Sequence, residues 1–101
     1  MRIIELDAGG WLTPLDFLDA VHRAIGAPER QSLEADALVD AMIRGLNSVQ
    51  PPYTIRVTGS AKVPSEVRKE IAALSQIIKD ARRWRANHRY DDVEVAIEIV
   101  P

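Results

Sequence analysis

The chain has 101 residues, of which 47% are hydrophobic and 28% charged, and its formal net charge is -2. That length can bury a core without staples, and the absence of cysteine excludes thiol catalysis, thiolate metal sites and disulfides. The charge is unevenly spread: residues 1–50 hold four arginines and eight acids, whereas residues 51–101 hold nine Lys/Arg and seven acids.

The opening MRIIELD has no apolar stretch of signal-peptide type, and no segment approaches the length of a membrane span. A cytoplasmic location is therefore expected. No repeat, low-complexity tract or long linker interrupts the chain, so residues 1–101 are expected to form a single domain.

Arg2 to Leu6 reads as a strand with Ile4 and Leu6 on one face and Ile3 and Glu5 on the other. A helix follows, with Thr13 as N-cap, Pro14 in the first position and Asp16 as the acidic partner of a capping box. Its expected core stripe is Leu15, Leu18, Val21 and Ile25, and Gly26 supplies a left-handed stop. A second helix is expected after Ser32, with Ala35, Leu38, Val39, Met42, Ile43 and Leu46 as its apolar stripe. Pro51-Pro52 ends any helical option. Tyr53 to Val57 alternates as a strand with Tyr53, Ile55 and Val57 inward. A long helix is expected from about Ser65 to Trp84, its core face formed by Val67, Ile71, Leu74, Ile78 and Ala81. Val93 to Val100 forms the last strand, with Val93, Val95, Ile97 and Ile99 opposite Glu94, Ala96 and Glu98.

Strands separated by helices pair in parallel through right-handed crossovers. Charged residues alternate with apolar ones in these strands, so one sheet face is expected to stay wet. The expected fold is α/β with two layers: a three-stranded parallel sheet with helices packed mainly on one face. Arg56 is expected to lie among Glu5, Glu94 and Glu98 on the wet face, each pairing contributing about a few tenths of a kcal/mol.

The segment PERQSLEADALVDAM, residues 28–42, resembles the signature of the barstar family of ribonuclease inhibitors, roughly P-E-x-x-G-x-N-L-D-A-L-x-D-x-L. Pro28, Glu29, Asp36, Ala37, Leu38 and Asp40 match it without a gap. The resemblance also covers element order along essentially the whole chain. It implies a barstar-like fold and a protein that caps the active site of a secreted ribonuclease or nuclease toxin. The second helix and the loop before it would place carboxylates where the enzyme holds an RNA phosphate. Asp36 and Asp40, about 40° apart around the helix, stand one turn above each other and suit that role. Two such aspartates equally fit a solvated helix face, with Asp40 paired to Arg44.

The chain departs from the pattern at several positions. The aromatic slots after Pro-Glu hold Arg30 and Gln31, the glycine is Ser32, the asparagine Glu34, and the tryptophan slot between the aspartates is Val39. Arg30 brings a cation toward a cationic pocket, and Glu34 adds an acid that offsets it. The partner-binding residues implied are Asp36, Asp40, Arg30, Glu34 and Val39, with weak or no binding expected for the type ribonuclease. Self-association through the Val39 face is a second reading.

A third is nucleic-acid binding by Lys79, Arg82, Arg83, Arg85, His88 and Arg89 with Trp84 and Tyr90 as stacking platforms. The acidic overall balance disfavours it, and the same cations are explained by the dipole at a helix C-terminus, with Trp84 closing the core. His22 has no Cys or acid at metal-ligand spacing and reads as a surface or core-edge residue. Asp91-Asp92 reads as a solvated pair. With no nucleophile-elbow, phosphate-loop, zinc-protease or dinucleotide motif, no enzyme activity, metal or cofactor is expected.

Overall fold

The computed structural model describes residues 2–101. Three strands, β1 (Arg2–Asp7), β2 (Tyr53–Thr58) and β3 (Val95–Val100), form one sheet in the order β1-β2-β3 with both pairings parallel. Helices α1 (Pro14–Ala24) and α2 (Ala35–Ile43) connect β1 to β2, and α3 (Ser65–Asn87) connects β2 to β3 after a short 3-10 turn at Ser60–Lys62.

The inward face of β2, Tyr53, Ile55 and Val57, is fully buried and joins Val95 of β3 beneath the helices. The opposite face carries Ile3, Glu5, Arg56 and Glu98. Register places Arg56 beside Glu5 on one neighbour and Glu98 on the other, and it bonds both, at 3.3 and 3.2 Å. The two carboxylates raise the pKa of the guanidinium, the Glu98 hydrogen bond contributing most. Glu94, expected in this cluster, lies outside it because the strand begins later than expected. The Val95 N–H donates to the Val93 carbonyl at 2.9 Å, a three-residue turn that breaks extended pairing before Val95. Parallel sheets are ordinarily covered on both faces. This one is covered on one, as its alternating pattern requires.

In α1, the Asp16 carboxylate accepts the N–H groups of Leu12 at 2.8 Å and Thr13 at 3.0 Å. These bonds hold its pKa below the usual carboxylate range. The core stripe differs from the expected one: Phe17 is fully buried with Leu18, Val21 and Ile25, whereas Leu15 is 60% exposed. At 100° per residue, Leu15 lies about 100° from the centre of the buried arc, beyond its edge.

Both α1 and α2 end in Schellman motifs. Gly26 and Gly45 adopt φ of 66° and 68°, and the Ala27 and Leu46 N–H groups donate back to the His22 and Ala41 carbonyls. The second stop removes Leu46 from the α2 stripe, where it was expected, and leaves it 53% exposed. Ser32 is not the cap of α2; that position is Glu34, whose N–H donates to Ser32 Oγ at 3.1 Å. Along α3, Val67, Ile71, Leu74 and Ile78 are buried as expected, with Ala81 half-buried. The helix runs one turn beyond Trp84, so Trp84 is 53% exposed and does not close the core.

Candidate functional site

The loop between α1 and α2 turns at residues 28–31, where the Gln31 N–H donates to the Pro28 carbonyl at 2.9 Å. This turn leaves Glu29 and Arg30 exposed at its tip. Gln31 Nε2 donates to the Ala37 carbonyl at 3.3 Å, tying the loop to the helix it precedes. The residue in an aromatic slot of the signature thus acts here as a polar strut.

On α2, Leu38, Val39, Ala41 and Met42 face the core, leaving an outer edge of Glu34, Asp36 and Asp40, all exposed. Asp36 has no hydrogen-bond or ion-pair partner among the described residues. Asp40 meets Arg44 at 3.4 Å, with both side chains more than 60% exposed. A pair so open to water contributes about 0.3–0.5 kcal/mol and yields easily to a competing cation. The first turn of the helix also favours the Asp36 carboxylate through the helix dipole.

Of the five residues expected at the partner face, four are at the surface and one is not. Val39 is 2% exposed and belongs to the core between α2 and α3. It presents no face of its own for self-association, because the stripe it shares with Met42 packs against the rest of the fold.

A groove of about 390 Å³ lies between α2 and α3, with Asp36 and Asp40 on its α2 rim and Ile77, Ala81 and Trp84 on its α3 wall. Val39 and Ile43 also line it. The sequence reading missed this groove, although Ile77, Ala81 and Trp84 recur at i, i+4 and i+7, a stripe rotated one step from the core stripe of α3.

At the end of α3, Trp84 stacks on His88 with centroids 4.0 Å apart and on Tyr90 at 5.7 Å. His88 Nδ1 lies 2.8 Å from the Trp84 carbonyl oxygen; a carbonyl only accepts, so this nitrogen carries the hydrogen. Arg85 donates to the Asp91 carbonyl at 2.8 Å and covers the Tyr90 ring at 5.3 Å. Arg82 forms a two-pronged contact with Asp92, at 2.9 and 2.5 Å, and donates to the Val95 carbonyl. That contact holds the Asp92 carboxyl below the usual range and raises the Arg82 pKa. Two of the arginines in the basic segment are therefore committed to the chain itself, and its aromatics stack on one another.

His22 is half-buried, its Nε2 enclosed without a partner among the described residues, in a cleft of about 570 Å³ with Glu29, Gln31 and Leu33. The neighbouring Asp19 and Arg23 pair with each other at 3.0 Å. No group of three metal-ligating side chains occurs among the described residues, and no helix there is long and apolar enough to cross a membrane.

A one-sided parallel sheet whose second helix turns an acidic edge outward defines a small α/β protein with a surface suited to contact. Residues 1–98 match the family described as Barstar (barnase inhibitor), and the chain belongs to that family. Its members are inhibitors rather than enzymes. No curated protein matches the sequence.

Proposed function

We propose that residues 1–101 act as one domain that inhibits, or confers immunity to, a ribonuclease by laying the acidic edge of α2 into its cationic active site. One observation carries this reading: Asp36 and Asp40 stand one turn apart on the exposed edge, with Asp36 unpaired among the described residues and Asp40 held only by a solvated arginine. Such carboxylates replace a phosphate chemically, because the arginines, lysines and histidines that hold an RNA phosphate accept any well-placed anion. Glu34 extends the acidic edge, and Arg30 at the loop tip selects against a pocket that is cationic throughout. Electrostatic attraction of this kind raises the association rate and weakens with salt, an effect for which barnase and barstar are themselves the reference pair. The site of action is the cytoplasm of the cell that makes the ribonuclease, where a chain without cysteine has no redox liability.

The test is an RNA-cleavage assay with purified ribonucleases of the barnase type and divergent nuclease toxins, titrated with the chain. Parent protein inhibits at least one, with barnase itself inhibited weakly. Asp36→Asn/Asp40→Asn melts like the parent and loses about tenfold or more in inhibition. Equal inhibition by the double variant refutes the assignment of the site.

A further inference from the structure

The partner edge on α2 has acids but lacks the aromatic anchors on which interface energies usually concentrate. Val39 is buried, and Arg30 and Gln31 are polar. The groove beside that edge supplies an aromatic from another element. Trp84 of α3 is 53% exposed, and it lines the same groove as Asp36 and Asp40. Its stacks on His88 and Tyr90, and the hydrogen bond from His88 to its own carbonyl, hold the ring in one place before any partner arrives. A ring held in advance loses little conformational freedom on binding.

The charges select the occupant. Arg85 lines the groove but is turned to the Asp91 carbonyl and the Tyr90 ring, and Arg44, which also lines it, pairs with Asp40. With Asp40 and Arg44 answering each other, the rim beside the apolar floor of Ile43 and Ala81 offers Asp36, which has no partner among the described residues. A phosphate placed here meets the unpaired Asp36, which argues against a nucleic acid.

We propose that the groove between α2 and α3 is the anchoring half of the partner surface: it takes an apolar side chain of a protein partner against Trp84 while a neighbouring cation of that segment meets Asp36. This rests on the inhibitor reading for the partner's identity, but the groove is testable without any nuclease.

The full chain, isotope-labelled for NMR, is titrated with acetyl-Leu-Arg-amide and with acetyl-Leu-Glu-amide at millimolar concentration. The first is expected to shift the Trp84 indole and the Asp36, Val39 and Ala81 amides, and to bind about tenfold more tightly than the second. Trp84→Ala, whose fold is checked by circular dichroism, loses both peptides, and Trp84→Phe retains part of the binding. Asp36→Asn/Asp40→Asn keeps weak binding but no longer distinguishes the two. Absence of saturable shifts, shifts centred elsewhere, equal affinities in the parent, or an unaffected Trp84→Ala variant each overturn the groove. A chain that binds the peptide here but inhibits no ribonuclease leaves the groove standing and removes the inhibitor reading.

Discussion

Replacing Phe17 by alanine tests the placement of α1 more directly than any other single change. The side chain is fully buried, and its ring lies 5.4 Å from that of Trp11 at an angle of 53°. Truncation removes the transfer free energy of the ring and leaves a cavity under the helix, a combined cost of about 3–5 kcal/mol. The aromatic contact with Trp11 is part of that figure, about 0.5–1.5 kcal/mol. Leu15, two residues earlier and 60% exposed, is the control. Its replacement by alanine costs about 0.5 kcal/mol or less, since little area is uncovered and alanine favours the helix. Against a total stability of about 5–15 kcal/mol, Phe17→Ala removes a large share. Urea unfolding followed by circular dichroism measures both. With a slope of about 1.5 kcal/mol/M, the midpoint of Phe17→Ala falls by about 2 M or more, and its Tm by about 12 °C or more. Leu15→Ala stays close to the parent. If the two variants lose equal stability, the helix is rotated from the position described and the core stripe begins at Leu15 after all.

Tyr53 is fully buried and its hydroxyl has no partner among the described residues, so Tyr53→Phe is expected to gain about 1 kcal/mol in urea unfolding. Burial pushes its pKa up to about 12, which a spectrophotometric titration of the folded chain reads directly. Gly26→Ala combines a φ of 66° with a Cβ placed 2.6 Å from Ser48 Cβ, and it should cost about 2 kcal/mol or more, measured in the same way. Asp92 has a folded pKa below its unfolded value of about 3.9, so its stabilising contribution is full above that value and is lost as pH falls through the folded pKa. Asp92→Asn is therefore less stable than the parent at neutral pH, by about 1 kcal/mol or less for so exposed a pair, and the gap closes in acid. A gap that persists at low pH assigns the loss to packing instead.

The elements legible in the sequence were those with a strong local cause. Alternation set the inward faces of β1 and β2 and of β3 as far as Ile97, although Ile99, expected inward, is 45% exposed at the strand's end, and Thr13-Pro14 with Asp16 marked the start of α1. What failed depended on distant parts of the chain. Leu15 and Phe17 both fit a helical stripe, and only the angle at which α1 meets α3 and the sheet chooses between them. Gly45 stopped α2 before Leu46, although the apolar spacing continued through it. At the candidate site, the exposed one-turn placement of Asp36 and Asp40 was legible because four-residue spacing is a property of one helix. Trp84 was not, because its role as a groove wall exists only once α3 lies beside α2. Val39 was read both as part of the apolar stripe of α2 and, through the family's tryptophan slot, as a partner-face residue; packing against α3 settles it in the core.

The uncovered sheet face has a bearing on how copies of this chain meet one another. Arg56 is shared between Glu5 and Glu98, so the trio straddling all three strands keeps one uncompensated negative charge. Two such faces brought together would strip water from both trios and set like charges opposite each other, a loss that the few exposed apolar atoms around Ile3 do not offset. The charged trio thus works as a spacer. It sets a cost on stacking two bare parallel sheets face to face, so that such encounters are expected to be brief.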